Sequence, residues 1–257
     1  MANLSKDIII DGGVFFGRDT KSSLSASVND ILAAMNCNNI NMAVVASFKA
    51  IFCDQTEGNS EMMAIAEKFK DRIIPMAVIS PFSFIPNKGT IKSLAKQGFK
   101  IIGTFPLYQS WPLGTAVFKK MAEEISKEGL SLQVAIGNWQ QLSEVSNSLG
   151  GMDLPVLIRW IRGGGYLYLT EEIALGQEYN NLYFDVGTMV TTGGINKLCS
   201  EIGADRLYMS SNMPLVYERS VYYRVYAEEL SSKDRKKIYS GTLLNILDIE
   251  YDKHEKE

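Results

Sequence analysis

The feature that most constrains this chain is a rhythm: short apolar runs alternate with longer amphipathic segments from one end of its 257 residues almost to the other. Runs at 7–11, 42–46, 73–79, 99–105, 131–136, 156–161, 182–186 and 206–209 have the length and apolar content of buried strands. Between them, apolar residues recur at helical spacing. Leu24, Val28, Ile31, Leu32 and Met35 mark a helix over about 24–38, and Met62, Met63, Ile65, Ala66 and Phe69 mark the next. Ile91, Leu94 and Ala95 follow, then a helix over 116–127, one through Leu142, Val145 and Leu149, and others over 195–202, 217–230 and 233–247. Strand, helix, strand in steady alternation predicts a parallel sheet, and eight strands is the number that closes a small barrel. The predicted fold class is therefore α/β, a (β/α)8 TIM barrel over 1–249, with a charged flexible tail at 250–257.

Turn residues agree with this division. Gly98, Gly129 and Gly203 each fall between a helix and the following strand, where a helix end favours positive φ.

Composition narrows the function. Hydrophobic residues make up 46% and charged residues 21%, with 26 basic and 29 acidic side chains and a net charge of -3. Nothing forms a basic stripe, so nucleic acid is not an expected partner. No apolar run reaches 18 residues, so no membrane span is expected. The N-terminal MANLSKDIII has no signal-peptide pattern, and the three cysteines, Cys37, Cys53 and Cys199, are too far apart for a metal knuckle or redox pair. Both point to a cytoplasmic protein with free thiols.

The runs also carry a family likeness. IIIDGGVFFG resembles the first strand of the amidohydrolase-related (amidohydrolase 2 type) metal-dependent hydrolases, where apolar residues precede Asp-x-His-x-His-x-Gly, with Asp11 and Gly17 matching its ends. GFKIIGTFP resembles the family's fourth strand and the segment 129–137 the fifth. PVLIRWIRGGG resembles the sixth, NLYFDVG the seventh, ADRLYMSSNMP the eighth and KKIYSGTLLNIL the closing helix. The likeness spans about 8–247 and implies a barrel with a metal at its C-terminal mouth.

The departures matter more. Where the family places its ligands and base, the matching residues are Gly13, Phe15, Ala135, Arg162 and Asn212. Glycine, phenylalanine and alanine side chains offer no lone pair to a cation. The only histidine, His254, lies in the charged tail, so histidine-based nucleophilic mechanisms lack their base too. The family's metal mechanism is thus predicted absent, and no cofactor is expected.

Arg162 places a fixed positive charge near the expected cation position and needs an anion. That anion is either Asp11 or Asp185, or a bound small carboxylate or phosphate. A ligand would be gathered by Arg162 with Gly163, Asp11, Asp185, Thr188, Ser211 and Asn212, and by the loop aromatics Trp111 and Trp139. Loop aromatics Phe16, Phe48, Phe52, Phe82, Phe84 and Tyr108 fit a plug or a subunit interface.

The leading expectation is a catalytically degenerate barrel that binds a small anion, self-associates, or pairs with an active relative. The alternative is a hydrolase, lyase or decarboxylase-type enzyme with metal-independent chemistry at Arg162, Asp185 and Asn212. If alternate residues of the sixth strand share a face, Trp160 and Arg162 point together into the barrel.

Overall fold

Parity along nine strands arranges this molecule. The computed structural model describes residues 7–85, 89–161 and 166–251. Its strands are β1 (Ile10–Arg18), β2 (Ser25–Ala26), β3 (Met42–Ser47), β4 (Ile73–Val78), β5 (Ile101–Thr104), β6 (Ser131–Ile136), β7 (Val156–Trp160), β8 (Leu182–Asp185) and β9 (Leu207–Tyr208). They lie in the order β2-β1-β3-β4-β5-β6-β7-β8-β9. All neighbours from β1 through β9 run parallel, and β2 folds back antiparallel on β1.

Backbone hydrogen bonds then join the last strand to the first. Gly12 N–H donates to Met209 O at 2.8 Å, Asn212 N–H to Gly13 O at 2.9 Å and Phe15 N–H to Met213 O at 2.8 Å. This closure gives a (β/α)8 barrel, with the short β2 as an added outer strand.

The apolar residues divide into two layers. One lies inside the barrel and includes Ile10, Phe15, Val44, Met76, Val78, Ile101, Ala135, Leu157 and Tyr208. The other lies between barrel and helices, with Val45, Ala77, Ile102, Val134, Ile158, Trp160 and Phe184 from the strands. Helix Ala116–Lys127 shows how the second layer is built. Thr115 accepts from Phe118 N–H at its start, Phe118, Met121, Ala122 and Ile125 make its buried stripe, and Gly129 turns the chain at φ 67°. Gly98 and Gly203 also have positive φ, at 98° and 90°.

Several boundaries depart from the sequence pattern. The first strand begins at Ile10 and runs on to Arg18, because Gly12 and Gly13 do not end it but form a bulge, shifting its register against β3 between Asp11 and Val14. The first helix starts at Val28 and not near Leu24, because Ser27 and Asp30 form a reciprocal capping box. Helix Tyr166–Glu178, between β7 and β8, is not marked by the apolar spacing at all. The closing helical stretch is three pieces, Ser232–Lys236, a π-helical turn Lys237–Gly241, and Thr242–Ile246. Most of the charged tail, including His254, lies outside the described residues.

Candidate functional site

Catalytic side chains in this architecture come from the C-terminal ends of the strands. One side chain dominates that end here, and it is Arg159. It lies on β7, is fully buried, and its strand partners place it beside Ala135 of β6. The β7–β8 register pairs Ile158 with Phe184, so the next step along both strands sets Arg159 beside Asp185.

The guanidinium is held from several sides. Nε donates to Asn212 Oδ1 at 2.8 Å and Nη1 to Gln133 Oε1 at 3.3 Å. Its carbon stands 4.3 Å from the centre of the Phe15 ring, a cation–π distance. Gly13 completes the wall: a Cβ there would overlap Arg159 Cζ and Nε. Gln133 Nε2 donates in turn to Gly12 O at 2.8 Å, and Asn212 Nδ2 to Trp160 O at 2.8 Å. Asn212 adopts φ 58°, a left-handed conformation that asparagine tolerates better than most residues. Among the described residues, Nη2 has no hydrogen-bond partner.

Two carboxylates flank this centre and tie strand ends together. Asp11 accepts from Gly13 N–H at 3.1 Å, Ser211 N–H at 2.9 Å and the Tyr222 hydroxyl at 2.7 Å. Asp185 accepts from Gly187 N–H and Ser210 N–H, both at 2.8 Å, and from the Ser210 hydroxyl. Both carboxyls are raised by burial against the opposing pull of these donors, Asp185 to about 6. The Arg159 charge is one of the influences holding Asp185 down. Burial pulls the arginine itself down, but a guanidinium starts so high that it stays charged.

Above Arg159 the barrel axis is filled with rings. Phe15 stacks on Phe48 at 4.7 Å and lies 5.7 Å from Phe105, and Phe52 and Tyr108 continue the cluster outward. Phe15, Phe48 and Phe105 are fully buried.

Of the expected site residues, Gly13, Phe15, Ala135 and Asn212 gather around one point. The side chain they surround is Arg159. Trp160 does not enter the barrel: it faces the helices, its Nε1 donating to Glu172 Oε1 at 2.6 Å and its ring stacking on Tyr168 at 4.7 Å. The inward face of β7 is therefore Leu157 and Arg159, one residue out of step with the expected face. Arg162 and Gly163 lie outside the described residues. Thr188 is buried in the loop after β8, and Ser211 is spent on Asp11 and Met213. Trp111 is buried against Phe118, away from the arginine, and Trp139 is 61% exposed at a helix start.

The same fold is seen in known structures. A 5-carboxyvanillate decarboxylase from Sphingomonas paucimobilis superposes with a TM-score of 0.74 at 10% identity, covering 95% of this chain and 99% of that one. A second such decarboxylase, from Novosphingobium aromaticivorans and solved with bound manganese, gives 0.72 at 13% identity over 97% and 99%. An amidohydrolase II gives 0.73 at 12% identity over 94% and 100%. At these identities the likeness is one of fold. No protein-family profile matches the sequence, and no curated protein matches it.

A metal such as the manganese in that neighbour does not fit the residues here. Gly13, Phe15 and Ala135 have no donor atom, the Asn212 amide is engaged at both ends, and a guanidinium stands among them. Among the described residues no group of three or more His, Cys, Asp or Glu side chains could hold a metal ion.

Proposed function

We propose that this protein is a non-hydrolytic barrel of amidohydrolase type, in which Arg159 serves as a fixed internal cation and the loop-bearing face works by association. The observation that carries this reading is the seat of Arg159: fully buried, walled by a glycine that admits no side chain, and roofed by Phe15. Among the described residues the carboxyls nearest Arg159, Asp11 and Asp185, are engaged by backbone and side-chain donors rather than free to act as a base.

The face above is unusually apolar at its edges. Phe82 after β4, Trp139 after β6, Val190 after β8 and Tyr217 beyond β9 are exposed, and Phe82 reaches 68% and Tyr217 88%. Exposed aromatics on one face favour a subunit interface, with a second copy or a related barrel as partner.

A small-anion reading has one observation in its favour, the unpartnered Nη2 of Arg159. Charge argues the other way. Two buried carboxyl groups, Asp11 and Asp185, already flank Arg159, so a further anion would compete with them for one positive charge. Decarboxylase-type chemistry without metal meets a related obstacle, because Asp185 and Asn212 are fully engaged in holding strands and Arg159.

Light scattering after size exclusion tests the association. The expected mass exceeds the 28.6 kDa of one chain and falls on Trp139→Glu or Phe82→Glu. A monomer at all concentrations that also fails to bind any related barrel would refute it. A melting temperature raised by formate or phosphate in wild type, and not in Arg159→Met, would favour the anion reading.

A further inference from the structure

The aromatic cluster over Arg159 has a second cation at its outer end. Lys21, in the tip between β1 and β2, sets Nζ 5.5 Å from the Phe52 ring centre and 5.3 Å from that of Tyr108. The same ammonium donates to Tyr108 O at 3.1 Å. Five rings, Phe15, Phe48, Phe52, Tyr108 and Phe105, thus lie between a buried guanidinium and an ammonium at the surface.

The tip that carries Lys21 is shaped internally. Asp19 accepts from Lys21 N–H at 2.8 Å and from the Ser22 hydroxyl, and its own N–H donates to Leu24 O at 2.8 Å. These bonds set the form of the turn, in which Asp19 is buried. Lys21 reaches from the tip across to Tyr108, 87 residues away in sequence.

We infer that the β1–β2 tip is a strap latched across the barrel mouth by Lys21, with Phe52 and Tyr108 as the seat of the latch. Lys21 offers one flexible side chain on a preformed turn, so release requires the loss of one charge-assisted hydrogen bond and two ring contacts while the turn keeps its shape. Such a region opens locally without global unfolding. Releasing the strap uncovers Phe52 and Tyr108 first. The inner rings Phe48, Phe105 and Phe15 are fully buried and remain packed.

The inference is independent of what the loop face binds. It is tested by hydrogen exchange with mass spectrometry and by binding of a hydrophobic dye to wild type, Lys21→Gln and Lys21→Arg. In Lys21→Gln, amides of the helices Phe48–Phe52 and Pro106–Gln109 should exchange roughly tenfold faster, with dye binding increased and melting temperature little changed. Lys21→Arg should behave as wild type, since arginine also donates and stacks on rings. Unchanged exchange and dye binding in Lys21→Gln would overturn the latch. So would equal acceleration in Lys21→Arg, which would show that the tip merely tolerates no change at this position.

Discussion

Arg159 shows how one side chain can reorganise a barrel centre. A buried charge is costly unless it is paired, and its nearest direct partners are neutral: Asn212, Gln133 and the Phe15 ring. Its compensating charge is Asp185 on the neighbouring strand. Arg159→Met should therefore destabilise the fold by about 3–5 kcal/mol, because a buried carboxylate loses its counter-charge. The double variant Arg159→Met, Asp185→Asn should recover part of that loss in urea unfolding. Strictly additive single and double variants would separate the two residues energetically. The sequence made Gly13, Phe15, Ala135 and Asn212 legible as a group, since all four meet at this point. It did not make Arg159 legible. The parity of β7, which composition does not carry, is what turns Arg159 inward.

That parity is an element-scale property, and a run apolar on both faces conceals it. Val156, Leu157, Ile158 and Trp160 are all buried, so hydrophobic alternation carries no information about which side is inside. The glycine pair of β1 misleads for a related reason: a bulge and a turn use the same residue. By contrast, the helix Ala116–Lys127 and the strand β6 are fully legible, because one has a clean apolar stripe and the other sits between a glycine and an asparagine cap.

The helix hidden from the pattern, Tyr166–Glu178, carries an element-scale prediction. Glu172 reaches from it to Trp160 of β7, with one oxygen bonded to the indole and the other without a partner. Burial pushes its carboxyl up to about 8. A carboxyl raised in the folded state binds its proton more tightly there than in the unfolded chain. Its contribution to stability is present at acid pH and is lost as pH rises from near 4.5 through about 8. Asp185 acts in the same sense over a lower window, from its ordinary value to about 6. Glu172→Gln keeps an acceptor for the indole but cannot ionise. It should match wild type near pH 5 and be more stable by a few kcal/mol at pH 9, that is, up to about 3. Parallel stability curves for the two proteins across pH 5–9 would show that Glu172 is not buried as described.

At the scale of the whole molecule, the fold and the site point in different directions. The barrel superposes on decarboxylase and amidohydrolase structures over nearly its full length. Its interior, however, is that of a packed core from Leu157 and Tyr208 up to Phe48. No described helix is long and apolar enough to cross a membrane. Phe82, Trp139 and Tyr217 are exposed in segments that follow strand ends, where an enzyme of this architecture would receive substrate.

We propose that the Arg159 guanidinium stands where a barrel of this kind could otherwise hold a metal. Elemental analysis of protein purified without chelator, followed by calorimetric titration with zinc and manganese, tests it most directly. Well below one-tenth of an equivalent of bound metal and no saturable heat in the micromolar range are expected. About one equivalent per chain, lost on replacing Asp11, Asp185 or Asn212 in an otherwise folded protein, would contradict it.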